Sequence, residues 1–198
     1  MPSAERRAAA FLDRDGVINQ DLGHVYRVAD FHLLPGVIEA VQLLAAAGLA
    51  LVVVTNQAGI AKGLYTEADY KRLTTHLRDR LAHAGVVLAG VYHCPHHPQA
   101  VVPALRRDCD CRKPRPGMLQ RAAAELSLDL GRSLMVGDKP GDVLAGRAAG
   151  VDSNVLVRSG HALTAAEARA ADGCFDDLLA AARWFTAARP PLRWGALG

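Results

Sequence analysis

The sequence predicts an α/β fold in which helices cover both faces of a parallel β-sheet. Short strand-like apolar runs alternate with helical patterns from one end of the chain to the other, which is typical of such a sheet. The 198 residues match the length of one domain. Apolar residues make up 51% of the chain and charged residues 22%, which suits a packed core. We therefore expect a single domain over residues 1–198.

Short apolar runs mark the candidate strands. The clearest is residues 49–54, which is uninterrupted and ends in three valines. Residues 174–175 are few enough to form only a short edge strand. The complete set is residues 8–12, 49–54, 91–93, 134–136, 155–157 and 174–175.

Helical patterns separate these strands. After Pro35-Gly36, apolar residues recur at the i, i+4, i+7 spacing of a buried helix face. Thr66 and Asp69 resemble a capping box and begin a helix that runs to about residue 84. The remaining helices are expected over residues 117–126, 142–149, 164–171 and 178–187.

Composition and charge exclude several classes of protein. A net charge of +3 is too small to indicate a nucleic-acid partner by itself. The longest nearly unbroken apolar run, residues 43–54, is shorter than the roughly 18 residues that span a bilayer. The apolar stretch behind Arg6-Arg7 ends at Asp13 and is too short for the core of a signal peptide. We expect a cytoplasmic protein with no membrane or nucleic-acid partner.

Two carboxylates follow the first predicted strand. Asp13 and Asp15 lie two positions apart directly after residues 8–12. Ligands of open α/β sheets bind beyond the carboxyl ends of the strands, and side chains two apart on an extended chain point the same way. One carboxylate could attack an electrophile while the other transfers a proton. A surface Asp-x-Asp-Gly turn is the structural alternative.

Polar residues also follow the second and fourth predicted strands. Those after residues 49–54 offer hydrogen-bond donors suited to phosphate oxygens, although a strand-capping turn would use similar residues. They are Thr55, Asn56, Gln57 and the backbone of Ala58. Asp138 and Lys139 follow the fourth strand. Asp142 either joins them at a Mg²⁺ site or serves only as a favourable charge at a helix N-terminus.

A proline-rich segment, residues 94–116, breaks the alternation. It holds five of the ten prolines and has no hydrophobic period. Two close pairs of ligands, separated by a loop, have the spacing of a tetrahedral Zn²⁺ site that would hold the segment rigid. These ligands are Cys94, His96, Cys109 and Cys111. His93 or His97 could replace His96, and free cysteines in a mobile loop are the alternative to a metal site.

Taken in order, the three strand ends Asp-x-Asp, Thr-Asn and Gly-Asp resemble those of the haloacid dehalogenase superfamily of phosphohydrolases. The resemblance covers about residues 11–157. It implies that Asp13 is the nucleophile that becomes phosphorylated and that Asp15 is the general acid/base. It also implies that Thr55 holds phosphoryl oxygens and that Lys113 neutralises the aspartyl-phosphate. The implied Mg²⁺ ligands are Asp13, Asp15 and Asp138.

Further motifs narrow the resemblance to the D-glycero-D-manno-heptose-1,7-bisphosphate 7-phosphatase family. They are Cys-Pro-His-His-Pro, Cys-Asp-Cys-Arg-Lys-Pro, Thr-Asn-Gln-Ala-Gly-Ile-Ala-Lys-Gly and Gly-Asp-Lys. The resemblance implies that Arg112 recognises the substrate and that Lys139 contacts phosphate. It assigns the sugar contacts to Asp21, Leu22, Gly23 and His24. The family pattern has His and Tyr where this chain has Leu22 and His24, so we expect backbone rather than side-chain contacts there.

We therefore expect a Rossmann-like sheet without a cap domain, because no insertion after Gly16 or Gly63 is long enough to form one. The expected activity is Mg²⁺-dependent hydrolysis of the 7-phosphate of a heptose bisphosphate, in nucleotide-activated heptose biosynthesis. We expect a monomer that also holds a structural Zn²⁺. Two alternatives stay open: a histidinol-phosphate phosphatase, from a similar family that also carries a zinc loop, and a non-catalytic zinc-dependent binding module.

Overall fold

The structure is a computed structural model that describes residues 6–187 of the chain. Its strands are β1 (Ala9–Leu12), β2 (Ala50–Asn56), β3 (Gly90–Cys94), β4 (Leu134–Gly137), β5 (Ser153–Val157) and β6 (Gly173–Phe175). Its helices are α1 (Val37–Ala46), α2 (Ala58–Ala61), α3 (Glu67–His83), α4 (Gly117–Leu126), α5 (Pro140–Ala149), α6 (Ala165–Ala170) and α7 (Leu178–Ala187). The predicted domain extends beyond this part of the chain, to residues 1–5 and 188–198.

All of these strands are parallel and lie in the order β3-β2-β1-β4-β5-β6. The chain runs from β1 outward to β2 and β3, and then returns to place β4 on the other side of β1. The carboxyl ends of β1 and β4 therefore border the crevice at which the strand order reverses, where α/β proteins bind ligands. The prediction of a parallel α/β sheet is confirmed.

Apolar side chains pack against both faces of the sheet. Successive residues of a strand point to opposite faces, so Leu12 and Val53 join a cluster with α1, α3 and α7. Phe11 and Val52 join a second cluster with α4 and α5. Burial on both faces explains why β1 and most of β2 contain only apolar residues.

Most element boundaries lie within a few residues of the predicted ones. The strand β2 continues to Asn56, because Thr55 and Asn56 pair with residues of β3. Residues 58–61, where a turn was expected, form the short helix α2. The predicted capping box is present, with the Thr66 backbone N–H donating to Asp69 Oδ2 at 2.8 Å. Within residues 6–187, every helix is too short or too polar to cross a bilayer.

Candidate active site

The predicted catalytic side chains meet in a cavity of about 400 Å³ at the carboxyl edge of the sheet. Asp13 and Asp15 line it from the end of β1, and Thr55 lines it from β2. Other predicted contacts on its wall are Asp21, Gly23, His24, Asn56, Gln57, Ala58, Arg112, Lys113 and Lys139. Leu22 does not line the cavity, and 53% of its surface is exposed.

Lys113 lies buried between the carboxylates of Asp13 and Asp142. Its Nζ is 2.9 Å from Asp13 Oδ2 and 2.6 Å from Asp142 Oδ1. It also donates a hydrogen bond to the carbonyl oxygen of Val54 at 2.8 Å. Burial alone would lower the pKa of the Lys113 amine, but the two carboxylates outweigh burial and raise it. The amine is therefore a fixed positive charge beside Asp13.

Asn56 places the Lys113 backbone at the end of β2. Its Nδ2 donates to the Lys113 carbonyl oxygen at 3.0 Å, and its Oδ1 accepts from the Lys113 N–H at 3.1 Å. This pair of hydrogen bonds continues the backbone pairing at the end of β2 and joins the proline-rich segment, residues 94–116, to the sheet. The side chain expected to contact substrate thus holds the loop that carries Lys113.

Asp138 is a fully buried carboxylate whose two oxygens accept no hydrogen bond from any described residue. A β-carbon at Gly16, which has a φ of +85°, would lie 2.5 Å from Asp138 Oδ2, so only glycine fits there. Burial, followed by the charge of Asp13, raises the pKa of Asp138 to about 7. Its nearest cation, Lys139 Nζ, is 3.4 Å away. A buried carboxylate without hydrogen bonds is costly, and a bound cation would remove that cost.

Three carboxylates are close enough to share one cation. Asp13, Asp138 and Asp142 each offer an oxygen, and these oxygens lie within 4.8 Å of one another. A β-carbon at Gly137 would overlap Asp142, so this glycine lets the Asp142 side chain approach the end of β4. The oxygen-only, acidic donor set fits Mg²⁺, a hard cation that binds carboxylate oxygens and completes its octahedron with water or phosphate.

The Asp15 side chain points away from these three carboxylates. Its oxygens accept hydrogen bonds from Arg14, from Asn19 at 2.9 Å and from Gln57 at 3.1 Å. It still lines the cavity, and 18% of its side chain is exposed. Of the predicted Mg²⁺ ligands, the structure thus brings together Asp13 and Asp138, and the third carboxylate beside them is Asp142 rather than Asp15.

Asp142 lies in the candidate Mg²⁺ site and also at the N-terminus of a helix, the two positions that the sequence left open. Its Oδ2 accepts a hydrogen bond from the Lys139 backbone N–H at 3.0 Å, which caps the N-terminus of α5. Its other oxygen contacts Lys113. The same side chain therefore begins a helix and contributes charge to the acidic cluster.

Positive charge and imidazole rings surround the outer part of the cavity. Lys62 Nζ lies 3.4 Å from His24 Nε2, and Arg112 and His97 also line this side. Among the described residues, neither Lys62 nor Arg112 has a carboxylate within ion-pair distance. This part of the cavity therefore suits an anion.

The predicted soft ligands form a second cluster beside the cavity. Cys109 Sγ lies 3.4 Å from Cys94 Sγ and 3.3 Å from Cys111 Sγ. His96 Nδ1 lies 3.8 Å from Cys94 Sγ and 3.4 Å from Cys111 Sγ. Zn–S bonds of about 2.3 Å place tetrahedral thiolates about 3.8 Å apart, close to these separations. The cluster can therefore hold a metal ion of the size and ligand preference of Zn²⁺.

The other two candidate histidines lie outside this cluster. His93 Nε2 contacts Glu67 Oε1 at 2.9 Å, and its ring stacks on Tyr70. His97 Nδ1 accepts a hydrogen bond from the Gln99 backbone N–H at 3.1 Å, and its side chain lines the cavity. The geometry thus selects His96.

Sequence reasoning did not assign four residues that line the cavity: Lys62, Tyr65, His97 and Gly141. Lys62 lies within the motif Thr-Asn-Gln-Ala-Gly-Ile-Ala-Lys-Gly, which was the available signal for it. The spacing of the Cys/His motifs offers His97 only as an alternative metal ligand. Tyr65 stands alone before the capping box, and nothing in its spacing indicates a site.

The chain is similar to known proteins in sequence. Residues 110–181 match the HAD-hydrolase-like family. D-glycero-beta-D-manno-heptose-1,7-bisphosphate 7-phosphatase of Escherichia coli strain K12 is 49% identical over 170 residues, which cover 86% of this chain and 89% of that protein. D-glycero-alpha-D-manno-heptose-1,7-bisphosphate 7-phosphatase of Photorhabdus laumondii subsp. laumondii is 43% identical over 152 residues, covering 77% and 83%.

A solved structure extends the similarity to the fold. The D,D-heptose 1,7-bisphosphate phosphatase from B. bronchiseptica, complexed with magnesium and phosphate, superposes with a TM-score of 0.77. It is 30% identical in sequence, and the match covers 92% of this chain and 99% of that one. That structure pairs the fold with the two ligands that the acidic cluster and the cationic cavity wall suit.

Proposed function

The chain belongs to the heptose-1,7-bisphosphate 7-phosphatase family of HAD-like hydrolases, and we propose that it removes the 7-phosphate of D-glycero-D-manno-heptose 1,7-bisphosphate. The observation that carries this proposal is that Asp13 and Lys113 line a cavity with a cationic outer wall, while Asp138 lies buried close to Asp13. It pairs a nucleophile with the charges that a phosphoester needs, and it leaves a second anion site free.

The proposed reaction has two steps. In the first, an oxygen of Asp13 attacks phosphorus while the bond between phosphorus and the sugar oxygen breaks. Asp15 gives its proton to the sugar oxygen as it leaves. In the second, Asp15 takes a proton from water, whose oxygen attacks the aspartyl-phosphate and releases inorganic phosphate. Asp13 and the protonation state of Asp15 are thereby restored.

Charge repulsion opposes the first step, because a carboxylate must approach a phosphate dianion. The Lys113 amine, 2.9 Å from Asp13, supplies fixed positive charge next to the phosphoryl group. The Thr55 hydroxyl, which also lines the cavity, is assigned to a phosphoryl oxygen. Asp13, Asp138 and Asp142 fit Mg²⁺, which when bound would neutralise phosphate charge and orient the oxygens.

We also propose that Cys94, His96, Cys109 and Cys111 hold a structural Zn²⁺. The last of these ligands precedes Arg112 and Lys113 directly. A closed metal site would therefore hold rigid the loop that brings both cations into the cavity.

A phosphate-release assay on purified protein tests the proposed function. The substrates are both anomers of the heptose bisphosphate, fructose 1,6-bisphosphate and histidinol phosphate, with Asp13→Asn protein as the control for contaminating phosphatases. We expect the highest kcat/KM on a heptose bisphosphate. Preference for histidinol phosphate would replace the proposed substrate, and no turnover of any phosphoester would favour a binding protein.

A further inference from the structure

The Gln57 side chain lies between two groups of the proposed chemistry. It is 2% exposed. Its Nε2 donates hydrogen bonds to Asp15 Oδ2 at 3.1 Å and to Thr55 Oγ1 at 2.9 Å. An amide nitrogen has two N–H groups, and both are used in these bonds. Gln57 therefore acts on a substrate through its neighbours, the general acid and the residue assigned to the phosphoryl oxygens.

Tyr65 sets the orientation of the Gln57 amide. The Arg14 guanidinium only donates hydrogen bonds, so the amide oxygen faces Arg14 Nη2 and the amide nitrogen faces Asp15. The Tyr65 hydroxyl donates to that oxygen at 2.5 Å, and Arg14 Nη2 adds a longer contact at 3.4 Å. Burial raises the pKa of Tyr65 to about 12, so the hydroxyl keeps the proton that it donates at neutral pH.

The Tyr65 ring is in turn held in a fixed place. A β-carbon at Gly59 would lie 2.1 Å from Tyr65 Cε1, so the ring occupies the space that any other residue at this position would fill. Tyr26 stacks on the ring with centroids 5.1 Å apart and an interplanar angle of 11°. This packing accounts for the glycine in the Gln-Ala-Gly motif.

We propose that Gln57 and Tyr65 are positioning residues for the general acid: Tyr65 fixes the amide, and the amide holds Asp15 for proton transfer. The proposal rests on the proposed function. As the bond between phosphorus and the sugar oxygen breaks, the Asp15 proton moves to that oxygen and a carboxylate remains. The Gln57 N–H already donates to Asp15 Oδ2, next to the bonds from Arg14 and Asn19, so these donors need no reorientation when the carboxylate forms.

The leaving group distinguishes this role from a purely structural one. A sugar alkoxide is a poor leaving group and needs the proton, whereas p-nitrophenolate leaves without it. A misplaced acid therefore lowers kcat/KM more for the sugar bisphosphate than for p-nitrophenyl phosphate. If Gln57 served only to hold Thr55, kcat/KM would fall equally on the two substrates, because the transferred phosphoryl group is the same in both.

The first experiment compares Tyr65→Phe with Tyr26→Phe, which removes the hydroxyl of the tyrosine stacked on the same ring. The Tyr26 hydroxyl contacts Arg27 at the surface rather than Gln57. For Tyr65→Phe we expect kcat/KM on heptose bisphosphate to fall about tenfold and on p-nitrophenyl phosphate less than about twofold, a loss typical of a residue that supports a catalytic group. Tyr26→Phe should match wild type on both substrates.

A double-mutant cycle provides a second readout. Gln57→Leu should show a larger loss with the same substrate bias, and adding Tyr65→Phe to it should change nothing further, since the hydroxyl acts only through the amide. Additive losses, equal losses on the two substrates, or wild-type kinetics of Tyr65→Phe would each overturn the proposal. Wild-type protein that hydrolyses neither substrate would instead overturn the proposed function.

Discussion

Replacing Asp138 by Asn should make the metal-free protein more stable at alkaline pH while removing its response to Mg²⁺. Asp138 is fully buried and accepts no hydrogen bond from the described residues, and Asp13 adds a second negative charge nearby. Asparagine has nearly the same shape but no charge. The substitution therefore removes the cost of burying an ion and leaves the packing against Gly16 intact.

The magnitude follows from the pKa of Asp138, which burial raises from 3.8 to about 7. Because the folded state holds this proton more tightly than the unfolded state, stability is lost as pH rises from about 4 to about 7. A pKa difference of this size corresponds to at most about 4 kcal/mol. The asparagine variant lacks that loss, so its advantage in the free energy of unfolding should grow over this pH range and then level off.

Urea unfolding, followed by circular dichroism without added divalent cation, measures this difference at about pH 5 and pH 8. The Cys/His cluster, Cys94, His96, Cys109 and Cys111, is the same in both proteins, so any effect of pH on it cancels in the comparison. We expect the variant to gain about 2 to 3 kcal/mol on wild type between the two pH values, because part of the loss has already occurred by pH 5. Millimolar Mg²⁺ at pH 8 should stabilise only wild type. A free-energy difference that is the same at both pH values would refute the reasoning.

Three further predictions concern the chemistry and the metals. Asp13→Asn should abolish turnover and keep the circular dichroism spectrum of wild type, whereas Asp15→Asn should lose about 10²- to 10⁴-fold in kcat, the usual contribution of general acid–base catalysis; steady turnover by the first variant would exclude Asp13 as the nucleophile. Arg112→Ala should narrow the kcat/KM preference for heptose bisphosphate over monophosphate, because Arg112 has no carboxylate partner among the described residues and is free to bind a second phosphate. Lys113→Ala should lower kcat/KM on both substrates. If Arg112→Ala lowers kcat/KM equally on both, Arg112 acts in the reaction itself rather than in substrate preference. Brief EDTA treatment should remove Mg²⁺ and leave thiolate-bound Zn²⁺, and elemental analysis that finds no zinc in active protein would contradict the assignment of the Cys/His cluster.

The sequence alone was enough to predict the fold and the place of the site. Strands buried on both faces are continuous apolar runs, so β1, β2 and β4 stand out in the sequence. Because parallel strands present their carboxyl ends at one edge, motifs that follow β1, β2 and β4 had to meet there. The sequence also predicted the cluster of Cys94, His96, Cys109 and Cys111. These ligands form two close pairs separated by a loop, and the pairs come together when the loop closes.

Only the tertiary structure decided what each side chain contacts. Asp13 and Asp15 lie two residues apart, yet the chain turns after β1 and sends the second carboxylate to Arg14 and Gln57, while Asp142 arrives from α5. Tyr65 reaches the cavity because a glycine leaves room for its ring. Periodicity records which face of an element is buried, and it carries no information on how turns and loops from separate elements aim their side chains. That direction depends on packing between segments far apart in sequence, which exists only once the sheet and its loops have assembled.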